Sequence, residues 1–145
     1  MNRYNQSGEP FMQLLRALAE TWQGFERYAG EDIKTTGLSA PQFDVICTLG
    51  NTRGMTFTEL GDRTLIYKTT LTGVVDRLEQ KRLVERCPCN QDRRRIYVRL
   101  TGEGEALFER VFPAHVRHLR SRLGELSEDE INQAIHLLGK VKRLL

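Results

Sequence analysis

The chain has 145 residues, with 22 lysines and arginines against 19 aspartates and glutamates, 39% hydrophobic and 28% charged, a composition that fits one globular domain. A domain of this size buries roughly 70% of the surface its unfolded chain exposes, so it needs neither disulfides nor metal for a core, and a multidomain enzyme is not expected. Its apolar runs fall short of the roughly 20 residues a bilayer demands, and the polar start MNRYNQSGEP is unlike a secretory signal, so the expected location is the cytoplasm.

Phe11, Leu14, Leu15, Leu18, Trp22, Phe25 and Tyr28 recur at helical spacing, which predicts a long amphipathic helix over 11–28. Gly37, Ser39 and Pro41 interrupt it. Ser39 with Gln42 forms a capping box with Pro41 in the first turn, opening a second helix over about 40–50. Gly50 and Gly54 bracket a turn, and Thr56 with Glu59 caps a short third helix ending near Arg63. Between Tyr67 and Lys81, Leu71, Val74, Val75 and Leu78 sit at i, i+3, i+4 and i+7 and predict a fourth helix.

The segments LVERC and IYVRL flank the polar PCNQDRRR and predict a two-stranded hairpin with a long basic tip. Ile96, Val98 and Leu100 alternate with Tyr97 and Arg99, whereas LVERC alternates poorly. Thr101 is the expected cap of a helix with Glu103 and Glu105 in its first turn and Leu107, Val111, Leu119 and Leu123 on its apolar face. Pro113 inside it removes one backbone hydrogen bond and predicts a kink. Ser127 with Glu130 caps a last helix striped by Ile131, Ile135, Leu138, Val141 and Leu145.

The charge is unevenly spread. Residues 63–99 hold ten basic and four acidic side chains, a net of +6, while the other 108 carry −3. Such a block is the footprint expected of a nucleic-acid-binding lobe, with a solvated basic face as the alternative. Two short helices, an amphipathic one and a basic hairpin make a winged helix-turn-helix, whose third helix enters the major groove. With Leu71, Val74, Val75 and Leu78 inward, the outer face following Lys68 carries Thr69, Thr70, Thr72, Gly73, Asp76 and Arg77.

Threonine hydroxyls can bond base edges or phosphate, their methyls can meet thymine, and Arg77 suits guanine or phosphate. Gly73 costs a mid-helix position roughly 1 kcal/mol against alanine, which calls for close approach either of DNA or of another helix. Asp76 would repel phosphate unless Arg77 or a wing arginine pairs with it. At the hairpin tip Asp92 precedes Arg93, Arg94 and Arg95. An aspartate there can bond the turn backbone and hold an arginine extended, the posture suited to a narrow minor groove.

The stretch LTGVVDRLEQKRLVERCPCNQDRRRIYVRLTGEGE resembles the signature of the MarR family of bacterial and archaeal transcription regulators. The matching pieces are the Leu-Thr pair, Asp-Arg-Leu-Glu, Leu-Val-Glu-Arg, the Asp-x-Arg wing tip and Leu-Thr-x-x-Gly; with the flanking helices the resemblance covers nearly the whole chain. It implies a mainly α fold with a small β-hairpin wing, a single domain over 1–145. Residues from about 40 to 100 would form the winged lobe, and those from about 9 to 30 and from 101 to 145 the dimerisation helices. It also implies a homodimer that binds a pseudo-palindromic site in double-stranded DNA, repression as the expected sign, and no cofactor or metal. Asp92 would orient Arg94 into the minor groove, Arg86 would support the wing, and Thr69, Thr70, Thr72, Gly73 and Arg77 would lie on the reading face.

Small aromatic or phenolic acids act on the family from a pocket between dimer helices and lobe. Arg16, Trp22, Phe25 and Tyr28 are candidates to line one, core packing being the other reading of these aromatics. Two departures stand out: Arg82 replaces the usual glycine at a left-handed position, and Gly73 replaces a longer polar side chain.

Cys47, Cys87 and Cys89 form no CxxC pair, so neither a disulfide framework nor a zinc ribbon is expected. Cys87 and Cys89 beside Arg86 and Arg93 support an alternative, a redox-responsive regulator, whereas Cys47 reads as a small core residue. His115 and His118, three apart, and His136 read as solvated or interface groups rather than zinc ligands. No nucleophile motif, P-loop or dinucleotide fingerprint is present. A winged-helix adaptor for proteins is a further alternative, against which the arginine-rich wing argues.

Overall fold

The computed structural model describes residues 8–88, 91–92 and 94–145. Helix α1 (Pro10–Ile33) is longer than its apolar stripe and closes through a 3-10 turn (Lys34–Thr36) onto Gly37 at φ 75°. Its buried residues are Ala29 and Ile33, beyond the expected end. Phe11, Leu14, Leu15, Trp22 and Phe25 stand 37–56% exposed.

Helix α2 (Ala40–Leu49) starts at the expected Ser39–Gln42 capping box and buries Phe43, Val45, Ile46 and Leu49. A two-residue strand β1 (Met55–Thr56) precedes α3 (Phe57–Arg63), whose Thr56–Glu59 capping box also forms. Then come α4 (Lys68–Gln80), β2 (Val84–Pro88), β3 (Ile96–Leu100), α5 (Gly102–Leu123) and α6 (Glu128–Leu144). The strands form one antiparallel sheet in the order β1-β3-β2, with Met55 and Arg86 flanking Val98. Strand β1 adds a third member to the expected hairpin.

The core lies where α2, α3, α4 and the sheet meet: Ile46, Leu60, Val75, Leu78 and Val98 are fully buried. Helix α5 joins this core at its start, where a Cβ on Gly104 would collide with the carbonyl of Leu83. The residues α5 buries are Gly104, Phe108, Val111 and His115, while Leu107 and Leu119 are only partly buried and Leu123 is 50% exposed. Its inward face is thus rotated from the expected stripe, and the helix is continuous through Pro113.

The histidines correct the expectation of solvated or interface groups, because His115 is buried within the chain. Its Nδ1 lies 2.8 Å from Asp32 Oδ2, and its ring meets Phe43 edge-on at 4.7 Å. His118 donates from Nε2 to the Tyr28 carbonyl at 2.8 Å and stacks on the Tyr28 ring at 4.1 Å. The Tyr28 hydroxyl in turn donates to the His118 carbonyl. These polar contacts join α5 to the end of α1. Helix α6, opened by the Ser127–Glu130 capping box, buries no residue of its own. Among the described residues, no helix is long and apolar enough to cross a membrane.

Candidate nucleic-acid interface

Helix α4 turns Leu71, Val74, Val75 and Leu78 into the core, which leaves Thr69, Thr70, Thr72, Asp76 and Arg77 exposed and Gly73 half-buried. A Cβ added to Gly73 would meet nothing within 4 Å. Close helix packing therefore does not account for this glycine, and the approach of an outside body remains. Lys68 at the helix start pairs with Asp62 at 3.3 Å, both side chains more than 60% exposed, an arrangement worth little in water.

Arg86, on β2, is the partner that Asp76 needs. Its Nη2 lies 2.5 Å from Asp76 Oδ1, its Nη1 3.0 Å from Glu79 Oε1, and its guanidinium 5.4 Å over the Phe57 ring. The hydrogen bond that Arg86 donates to Asp76 first, and the charge of Glu79 beside it, hold the Arg86 pKa above its already high ordinary value. One guanidinium from β2 thereby offsets part of the negative charge that Asp76 and Glu79 place on α4.

At the wing tip, the Asp92 carboxylate accepts the Arg94 backbone N–H at 3.0 Å, and its carbonyl accepts the Arg95 N–H at 2.9 Å. The aspartate thus shapes the turn through the backbone of Arg94, as an Asx-type bond. Arg94 and Arg95 form no ion pair with any described residue; they line a cleft of about 490 Å3 together with Thr56, Phe57 and Glu59. Arg93 and Cys89 lie outside the described residues. Arg82 holds φ 61°, the left-handed position expected of it, and its carbonyl accepts from Thr101 Oγ1 at 2.6 Å.

The four candidate effector residues do not converge. Arg16 pairs with Glu20 at 2.6 Å on an exposed face. Trp22 and Phe25 contact one another at 5.4 Å, both exposed rather than in the core. Tyr28 belongs to the α5 seam, about 18 Å along the helix from Arg16. A separate cleft of about 300 Å3 lies between the end of α1 and α5, walled by Asp32, Thr36, Arg110 and Ala114.

Cys47 is partly buried, and burial first, then the charge of Asp44, push its thiol pKa up to about 12, which keeps it protonated and unreactive. Cys87 Sγ lies 3.8 Å from the Tyr97 carbonyl. Three residues that pattern reading passed over also shape this surface. Asp44 accepts the Leu65 N–H at 2.8 Å and so pins the turn between α3 and α4, and that turn leaves Leu65 and Tyr67 74% and 84% exposed. The bulk of Leu65 and Tyr67 beside a helix start was the available signal.

A three-helix lobe that presents threonines on its last helix beside an arginine-tipped hairpin defines a winged-helix DNA-binding protein. The MarR family model matches residues 38–96. Over 111 residues the chain is 38% identical to the HTH-type transcriptional regulator PecS of Dickeya dadantii, covering 74% of this chain and 67% of PecS. A cysteine-to-serine mutant of MarR from Escherichia coli, complexed with operator DNA, superposes with a TM-score of 0.81 at 27% identity, over 97% of this chain and 99% of that one. BpsR of Bordetella bronchiseptica, whose DNA binding is regulated by 6-hydroxynicotinic acid, does so with a TM-score of 0.76 at 28% identity, over 97% and 98%. The chain belongs to the MarR family of transcriptional regulators.

Proposed function

We propose that this protein is a homodimeric repressor that binds a pseudo-palindromic site in double-stranded DNA. One observation carries the reading: α4 displays an exposed row of hydroxyls, Thr69, Thr70 and Thr72, beside the open backbone of Gly73, with Arg94 and Arg95 at the adjoining wing. In this reading Thr69, Thr70, Thr72 and Arg77 contact the major groove and Lys68 a phosphate. Arg94, with Arg93 and Arg95 beside it, enters the minor groove, while Asp92 and Arg86 hold the wing in place. Residues from about 40 to 100 form the reading lobe, and the helices on either side pair the two copies.

Paired recognition helices meet successive major grooves only at a spacing near 34 Å, so anything that alters the separation of the lobes releases DNA. A small aromatic or phenolic acid is the class of effector this reading assigns. The regulation of BpsR by 6-hydroxynicotinic acid supports that class, and Arg110 in the cleft between α1 and α5 is a suitable carboxylate partner.

The test is a fluorescence-anisotropy titration of wild type and Arg94→Ala against duplex DNA from upstream of the protein's own gene, at two salt concentrations. Binding tighter than to random DNA, falling steeply with salt and weakened in the variant with a salt slope smaller by about two, one for each copy's arginine, is the expected result. Equal, weak binding to every duplex overturns the reading.

A further inference from the structure

The turn between α3 and α4 holds two large side chains out into water within an otherwise polar, cationic surface. Thr64 is buried and donates to the Leu60 carbonyl at 2.8 Å, Ile66 packs against the core, and between and after them Leu65 and Tyr67 point outward. The posture is fixed, because the Leu65 N–H is bonded to the Asp44 carboxylate of α2 and the Tyr67 carbonyl takes the N–H groups of Thr70 and Leu71.

Tyr67 is also the N-cap of α4, where it makes no side-chain capping bond. Serine, threonine or aspartate would satisfy a free helix N–H there; tyrosine satisfies none. A side chain that forgoes a cap, on a residue 84% exposed, adds little packing to this chain. Lys68, Thr69 and Thr70 follow at once and Arg63 precedes. Two side chains flanked in sequence by Arg63 and Lys68 are far too small for a protein interface of roughly 800 Å2 per partner, but they adjoin the start of α4, whose outer face is proposed to read DNA.

We propose that Leu65 and Tyr67 are specificity-determining residues that close over thymine 5-methyl groups at the outer edge of each half-site. The thymine methyl is the apolar group displayed in the major groove, and the N-terminal residues of a recognition helix are the ones that reach base edges. Leu65 and the Tyr67 ring supply a larger apolar surface than the single methyl each α4 threonine offers. The inference rests on the DNA-binding reading above and adds the base that this end of the helix selects.

The experiment selects duplexes with wild-type protein from a pool with a random 24-base-pair centre, a length that spans two half-sites. The tightest duplex is then remade with uracil for thymine, one position at a time, which removes only the methyl. Wild type is expected to lose about threefold to tenfold in affinity at one thymine or more per half-site. Leu65→Ala or Tyr67→Ser binds the thymine duplex correspondingly less tightly and is indifferent to uracil at that position. Thermal melting runs alongside: Tyr67→Ser, with a better cap, melts no lower than wild type, so weaker binding cannot be lost folding. If wild type ignores uracil everywhere, or both variants keep its uracil sensitivity, the inference is overturned while the DNA-binding reading stands. If wild type enriches no duplex, that reading fails and the inference with it.

Discussion

Arg86 ties its own strand to two helices at once. From β2 it bonds Asp76 and Glu79 on α4 and lies over Phe57 on α3, with its side chain 25% exposed. Its removal leaves two carboxylates facing a polyanion, a larger loss for binding than for folding, since partly exposed ion pairs contribute about 1 kcal/mol or less each. Arg86→Ala is therefore expected to cost about 1–2 kcal/mol in urea unfolding and more than tenfold in DNA affinity. Adding Asp76→Asn to that variant should restore part of the affinity, because the repulsion goes with the charge. Lysine at 86 should restore less than arginine, since a point charge cannot bridge both acids as the fork does. Anisotropy at fixed salt checks each; an Asp76→Asn addition that restores nothing would show that Arg86 serves the fold alone.

At the scale of the element, α4 breaks helix rules in its middle and just past its end. Gly73 faces open space and Arg82 holds φ 61°, each a cost of about 1 kcal/mol that the fold itself does not require. Gly73→Ala should stabilise by about 0.5–1 kcal/mol and Arg82→Gly by about 1 kcal/mol, and the double variant by nearly the sum, since the sites share no partner. Denaturant midpoints read all three. Only Gly73→Ala should also weaken DNA binding, because in the proposed complex the added methyl would stand between the helix backbone and the groove.

These departures were legible in the sequence, as were the capping boxes at Ser39, Thr56 and Ser127, because each is a local feature of a few residues. What pattern could not show was the identity of the neighbour. The stripe of α1 has the period of a core helix yet is exposed. His115 finds Asp32 at a separation of 83 residues, and β1 is too short to carry a period. Leu65 and Tyr67 fail for the same reason: a bulky side chain at a helix start reads alike whether it packs inward or stands in water.

At the scale of the whole molecule, the apolar side chains without cover lie mostly on the terminal helices, apart from Leu65, Tyr67 and Ile96 in the lobe. On α1 these are Phe11, Leu14, Trp22 and Phe25; on α6 they are Ile131, Ile135 and Leu138, with exposures of 39–62% on the latter and no α6 residue buried. A helix of 17 residues with an apolar stripe gains most of its stability from packing that stripe, and this chain offers α6 no surface of its own. In the homodimer proposed above a second copy would supply it, through the same faces, as a two-fold interface demands. The wild type is thus expected to sediment at twice 16.7 kDa, with a melting temperature that rises with concentration. Ile135→Asp puts a carboxylate into that seam, where it finds neither water nor a partner, and should shift the protein to monomer. The core around Ile46, Leu60 and Val98 lies in the lobe, so the monomer should keep its helical circular dichroism signal apart from α6. It should lose far more DNA affinity than any single contact supplies, because one lobe holds one half-site and the second no longer binds as part of the same molecule. A wild type that is monomeric at micromolar concentration, or an Ile135→Asp variant that is still dimeric and binds DNA unchanged, would place the pairing surface elsewhere.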